Sequence, residues 1–419
     1  MPKLNYQLDW REKLTIAAII CLSFTGISVA KIGKALLTPY HLMMGVLIGV
    51  GLFYAHKINK EIILSLLILL LYMLGVNIFN IQTVKLTSVL YTVIFCIEMM
   101  ILYNFMKAST TQVLKRALEL VIILYFINVM IGFCFSLVGF HVPAIEQIIR
   151  IYHMQSGETR PMGWSTEPSY AAFIMAMAYL AYNHLNDHEL NKNVAKLTFA
   201  FILASVLMKT AFGIIYIGVC MFDWAIHLYP KFVRSIRLMY PFFGIIVVFG
   251  GSYLLSNSDF EALKRLDTVG TILFDPFDDN QKKMAKLQEK DASAFGRIGP
   301  TFMLIAESEN LKFNVYTGAG AGAAGTFLLE MLSGVLIDDG DAESLDVGLI
   351  PAFVIDYGFI GFVLLWIFFL IFTMYNLPIS FWLCMILIMF NANINTQILW
   401  FAITCCLAVS MNRANKHPP

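Results

Sequence analysis

Three stretches of the chain hold side chains whose types and spacing suit chemistry. The first is Arg160-Pro-Met-Gly-Trp-Ser-Thr-Glu-Pro-Ser-Tyr. Pro168 fits the first turn of a helix, where its missing N–H costs nothing. Glu167 then falls at the helix N-terminus, where the dipole favours a carboxylate. In that place Glu167 is either an N-cap, a general base, or a partner that orients Arg160. The planar guanidinium of arginine donates two parallel hydrogen bonds to a phosphate. Arg160 and Arg297, the latter in Ser293-Ala-Phe-Gly-Arg-Ile, therefore read either as solvated surface groups or as phosphate ligands. Lys209 sits between two apolar runs, 197–208 and 210–228, and either snorkels to headgroups or binds an anionic lipid head.

The second stretch is Gly318-Ala-Gly-Ala-Gly ahead of an apolar helix. Glycines let backbone N–H groups approach a phosphate at a helix start. No strand precedes this run, so a dinucleotide fold is excluded and a flexible hinge is the plainer alternative. The third is the acidic run Asp338-Asp-Gly-Asp-Ala-Glu-Ser-Leu-Asp. It lacks the glutamate spacing of a calcium-binding loop and reads as a solvated acidic loop. Glu98 lies inside an apolar run, where a carboxylate is costly and is a functional candidate by default. Asp223 lies near the end of its apolar run, an ordinary place for an acid.

The elements that must carry these residues are set by composition. Of the 419 residues 59% are hydrophobic and only 14% charged, and the mean hydropathy is +0.73. A soluble chain carries roughly 25% charged residues. With a net charge of +1 there is no basic field for nucleic acid. A span needs about 20 mostly apolar residues, and only helices satisfy the backbone over such runs in lipid. The apolar runs predict spans at 14–30, 36–55, 61–80, 86–106, 117–139, 168–183, 195–208, 210–228, 238–255, 348–374, 378–391 and 397–411. The fold class predicted is therefore all-α, a polytopic integral membrane protein with about twelve transmembrane helices.

Basic residues in short loops set the orientation. With the N-terminus inside, Lys57, Lys60, Lys107, Lys115, Arg116, Lys192, Lys196, Lys231, Arg234 and Arg237 fall on the inner side with both basic termini. The short outer segments hold only Lys31, Lys34, Lys85, Arg150, Arg160 and Lys209. The organisation expected is five helices over 1–139, a short outer loop over 140–167, four helices over 168–255, a long outer loop over 256–347, and three helices with an inner tail over 348–419. The long loop exceeds any plain connector. It predicts an interfacial helix from Asn257, a helix from Asn280 to Ile305, and an apolar helix from Thr326 to Leu336 that is too short to span. All seven cysteines fall in apolar runs, which favours packing over a disulfide framework. The apolar run from Leu14 to Ala30 is too long for a signal peptide and reads as a retained first span. The inner loops are short and carry no nucleotide-binding domain, so chemistry belongs to the outer face. An enzyme there needs a substrate that is already activated and membrane-borne.

These residues resemble the bacterial O-antigen and exopolysaccharide polymerases of the Wzy type, which belong with the O-antigen ligases. The likeness rests on Arg160-Pro-Met-Gly-Trp-Ser-Thr-Glu-Pro-Ser, on Ser293 to Arg297 followed by Gly318-Ala-Gly-Ala-Gly, and on Leu349 to Phe362 with its Asp356-Tyr-Gly-Phe-Ile-Gly-Phe. Motif-level matches cover about a tenth of the chain. Two departures stand out: Lys209 replaces an arginine common in the family, and Ser344-Leu-Asp-Val-Gly lacks the histidine that ligases use there. The resemblance implies transfer of a growing glycan from one polyprenyl diphosphate to the sugar of another lipid-linked repeat unit. It implies an undecaprenyl-diphosphate-linked oligosaccharide as substrate, membrane lipid around it, and a chain-length-regulating co-polymerase as partner. Arg160, Arg297 and Lys209, with Gly318 and Gly320, would hold the diphosphate. Glu167 would serve as base, with Asp346 second. Neither a cofactor nor a metal is called for if cations stabilise the leaving charge. The rivals are a lipid-linked oligosaccharide flippase or other transporter, for which Glu98 is the argument, and the ligase.

Overall fold

The computed structural model describes residues 9–27, 29–32, 35–51, 60–138, 150–153, 159–228, 261–307, 313–331, 348–373, 377–392 and 396–416. The expected span at 238–255 lies outside them. The first part runs α1 (Trp10–Ser23), β1 (Ala30–Ile32), β2 (Ala35–Leu37), α2 (Pro39–Gly51), α3 (Lys60–Phe79), α4 (Leu86–Ala108) and α5 (Thr111–Val138). It continues with β3 (Arg150–His153), β4 (Thr159–Gly163), α6 (Pro168–Leu185), α7 (Lys192–Leu207) and α8 (Ala211–Leu228). The helices between residues 256 and 347 are α9 (Glu261–Leu273), α10 (Asn280–Lys290), α11 (Ala292–Ala306) and α12 (Ala324–Met331), and they are followed by α13 (Leu349–Phe372), α14 (Ile379–Met389) and α15 (Gln397–Lys416).

The protein is predominantly helical, and a helix lies at each expected span that falls within the described residues. Six of them, α3, α4, α5, α8, α13 and α15, are long and apolar enough to cross a membrane. The others fall short of that standard for identifiable reasons. Helix α1 has 14 residues, α2 has 13, α7 has 16 and α14 has 11. Helix α6 has the length, with 18 residues, but carries tyrosine, asparagine and histidine along its second half. Two small antiparallel sheets, β1–β2 and β3–β4, also depart from a purely helical reading.

Helix α6 is the centre of the bundle. All 18 of its residues are buried, against α5, α7, α8, α14 and α15. Its small residues Ala171, Ala172, Ala176, Ala178 and Ala181 let neighbouring backbones approach, which is how helices gain packing where lipid is as apolar as leucine. Five of the cysteines, Cys96, Cys220, Cys384, Cys405 and Cys406, are packed in this core, Cys21 is half-buried, and Cys134 is exposed. Polar ties run between the helices. The Tyr125 hydroxyl donates to the Ser23 carbonyl, joining α5 to the end of α1, and the Tyr170 hydroxyl donates to the Asn391 carbonyl at 2.5 Å. A hydrogen bond of this kind contributes roughly 0.5–1.5 kcal/mol. Tyr125→Phe should therefore lower the unfolding midpoint of the detergent-solubilised protein, and an unchanged midpoint would show that the tie contributes nothing.

The long loop makes its own small core from Val269, Ile272, Met284, Leu287, Phe295 and Met303, on α9, α10 and α11. The helix expected from 280 to 305 is split, because Asp291 ends α10 and caps α11 by accepting from the Ala294 N–H at 3.0 Å. Leu304, Ala324 and Leu328 pack on Ala352, Val354 and Ile355, which fastens α11 and α12 to the first half of α13. Helix α13 is broken at Gly358, which holds φ 69° and ψ 178°.

Candidate functional site

The segment around Arg160 is held on three sides. Strand β3 pairs with β4, with Tyr152 opposite Arg160. Gly163 has φ +60° and leaves no room for a side chain against the Tyr125 ring, 2.7 Å from where a Cβ would stand. Trp164 sets its ring edge-on to Phe24 at 4.6 Å, and its carbonyl accepts the Gly26 N–H at 2.9 Å. The Ser165 and Thr25 hydroxyls lie 3.0 Å apart. The run of residues singled out above is therefore clamped between the end of α1 and α5. Within it Arg160 is buried, with 7% exposure, a costly place for a guanidinium that only interactions can justify.

Glu167 occupies the N-cap position of α6, with Pro168 as the first helical residue. Its side chain does not cap the backbone. It accepts instead from the Ser169 hydroxyl at 3.0 Å. Ser169 is thus a positioning residue that sequence reasoning passed over, although it stands in the same run. Lys209 lies in the turn between α7 and α8 with φ 50°, exposed to the surroundings. Four residues on, Gly213 packs with Ala172 of α6, so the Lys209 turn sits at the same end of the bundle as Glu167. The start of α13 joins this end too: the Leu349 N–H donates to the Ala392 carbonyl at 2.8 Å, next to the Asn391 carbonyl that Tyr170 bonds. Arg297 lies on α11, but its side chain is outside the described residues. Asp346 and the acidic run from Asp338 are also outside them.

The glycine run forms a second group, around the break in α13. Gly318, Gly320 and Gly322 all take positive φ, at 80°, 96° and 79°. A Cβ on Gly318 would stand 2.5 Å from the Asp356 carbonyl oxygen, and one on Gly320 would stand 2.9 Å from Val84. The backbone donors are turned inward. Gly318 N–H reaches the Asn314 carbonyl and Gly320 N–H the Asp356 carbonyl, both at 2.8 Å. Ala321 N–H reaches Asn77 Oδ1 at 2.9 Å, and the Asp356 carboxylate accepts from Gly322 at 2.8 Å and Ala324 at 2.9 Å. A carboxylate of the chain itself thus occupies the start of α12, where a phosphate was expected. The glycines serve as a clasp rather than a hinge, and Gly318 and Gly320 point their N–H groups at the protein. Lys85 is a cation the sequence did not single out at this spot. It lies along Gly322, and its N–H donates to the Ala321 carbonyl at 2.8 Å. Compared with family models, curated proteins and solved structures, the chain matches none.

Proposed function

We propose that the protein is a polysaccharide polymerase of the bacterial inner membrane. It moves a glycan from one undecaprenyl diphosphate to the terminal sugar of another lipid-linked repeat unit. Both termini are cytoplasmic in this reading, and the reaction lies at the periplasmic face. The observation that carries it is a buried arginine and a helix-start glutamate held on one clamped segment, at the same end of the bundle as Lys209. That grouping suits a substrate with a diphosphate leaving group at a membrane surface. The acceptor hydroxyl oxygen attacks the anomeric carbon of the donor, and the bond from that carbon to the diphosphate oxygen breaks. The diphosphate leaves with the electron pair, stabilised by Arg160, Lys209 and Arg297. Glu167, held by Ser169, takes the hydroxyl proton; Asp346 is the second candidate for that role.

Deleting the gene tests the reading. Surface polysaccharide should collapse on a gel to a single repeat unit on its anchor. Arg160→Ala and Arg297→Ala should each slow chain growth by roughly 100- to 1,000-fold, the usual scale for losing one charge-stabilising donor, with the protein still in the membrane. Normal polymer from both variants would overturn the assignment. The second reading is a lipid-linked oligosaccharide flippase, favoured by Glu98. That carboxylate is buried in α4 with 3% exposure, and its Oε2 has no hydrogen-bond partner among the described residues. A deletion strain that traps single units on the inner face would favour it. Polymer accumulating on the lipid would favour the ligase.

A further inference from the structure

At the opposite end of α6 from Glu167, three histidines and an aspartate converge. His184 Nε2 lies 3.1 Å from Asp223 Oδ1, and His188 Nε2 lies 2.9 Å from Asp223 Oδ2. One ligand-type atom from each of His184, His188 and Asp223 falls within 4.8 Å of the others. The His227 ring stacks on His188, with centroids 3.4 Å apart, and lies 5.6 Å from His184. From α14, the Ser380 hydroxyl donates to Asp223 Oδ1 at 2.5 Å and fixes that carboxylate.

The backbone is bent to achieve this. Helix α6 ends at Leu185, and the chain returns through Asp187 and His188, both left-handed at φ 54° and 56°. The His188 N–H closes the turn on the Asn183 carbonyl at 2.9 Å. Left-handed geometry is unfavourable for a non-glycine residue, and here it occurs twice in succession. Its effect is to aim the His188 ring at Asp223. His184, His188 and Asp223 are all buried, and His188 Nδ1 has no hydrogen-bond partner among the described residues. One carboxylate shared by two imidazoles, with a third stacked at the rim and a buried nitrogen left over, does not make a satisfied ion pair.

We infer that His184, His188 and Asp223 form a binding site for a first-row divalent transition ion such as Zn²⁺, with the fourth tetrahedral position left to water. Zinc bonds to imidazole nitrogen and carboxylate oxygen are about 2.0–2.2 Å, so tetrahedral ligand atoms stand about 3.4 Å apart. The observed separations of 2.9 and 3.1 Å need only a small outward movement. Arg413 of α15 also acts electrostatically on Asp223. Its positive charge works against ions held by charge alone, such as Ca²⁺ or Mg²⁺, and leaves those that imidazole holds. The ion would clip the end of α6 to α8. It would lie about 27 Å along α6 from Glu167, at 1.5 Å per residue, so this site stands apart from the proposed glycosyl-transfer chemistry.

The test uses full-length protein purified without a polyhistidine tag, stripped with chelator and titrated with Zn²⁺ or Co²⁺. The wild type should retain about one Zn²⁺ per chain, and its Co²⁺ form should show the intense visible bands of four-coordinate geometry. His188→Gln and Asp223→Asn should lose both signals while eluting as monodisperse protein. Failure of the wild type to retain zinc at micromolar free ion would overturn the inference. So would a stoichiometry in His188→Gln equal to that of the wild type.

Discussion

Gly358→Val is expected to remove almost all folded protein from the membrane. Gly358 holds a φ and ψ that only glycine adopts freely, at 69° and 178°. A Cβ there would stand 2.2 Å from the Tyr316 carbonyl oxygen, 2.3 Å from its carbon and 2.5 Å from the Thr317 nitrogen. All three are backbone atoms, so no side chain can swing away. The alternatives are to unbend α13 or to expel residues 315–317. Either breaks the bonds from Phe359 N–H to the Val315 carbonyl at 2.8 Å and from Ile360 N–H to the Tyr316 carbonyl at 3.2 Å. The backbone strain alone is roughly 1–3 kcal/mol, and each buried N–H left unsatisfied adds about 1–3 kcal/mol. Together these approach the whole margin of about 5–15 kcal/mol that keeps a protein folded. Fluorescence-detected size exclusion of a tagged variant should show loss of the monodisperse peak. Gly45→Ala is the control, because nothing lies within 4 Å of a Cβ at that position. An intact peak for Gly358→Val would mean that α13 runs straight and that the contact to residues 315–317 is not part of the fold.

The second large effect belongs to Asp356. Its two carboxylate oxygens each accept one backbone N–H, from Gly322 and Ala324. Alanine at 356 would leave both donors without a partner, at about 2–6 kcal/mol in sum. Asparagine keeps one acceptor and turns an NH₂ group toward the other donor, so Asp356→Asn should fall between alanine and wild type. Thermal unfolding in detergent reads the order wild type, then asparagine, then alanine. A catalytic acid would behave differently, because both variants would then keep the wild-type midpoint and lose only activity.

The apolar runs made the helices legible, because lipid leaves the backbone no other way to satisfy itself. A helix from Asn280 was legible in the long loop, and the structure shows Asp279 capping α10 by accepting from the Lys282 N–H at 2.7 Å. Less visible was the β3–β4 hairpin. Arg160, Pro161 and Gly163 show no strand alternation, and the pairing depends on contact with α5. The break in α13 was hidden for another reason. Gly358 sits in an apolar run whose proline, Pro351, stands in the first turn, seven residues before the break, and its conformation is imposed by residues 315–317, about forty positions earlier in the chain. At the candidate site the sequence located Arg160, Glu167 and Lys209 at one end. It could not foresee that Asp356 would fill the place expected for a phosphate, since that depends on how α13 meets the glycine loop. Asp223, read as an ordinary acid at a helix end, gains its partners only when the turn at Asp187 and His188 folds back.

The enclosure of α6 bears on how the chain is made. A helix with no face toward lipid is not held in the bilayer by its own hydropathy, and this one spends side-chain positions on tyrosine, asparagine and histidine. Leaving the ribosome alone, it would be a weak candidate for lateral release from the insertion machinery. Its residence depends on α5, which is synthesised before it, and on α7, α8, α14 and α15, which come after. The central helix is therefore the last to be secured, and biogenesis of this protein has to shelter it until the C-terminal helices arrive.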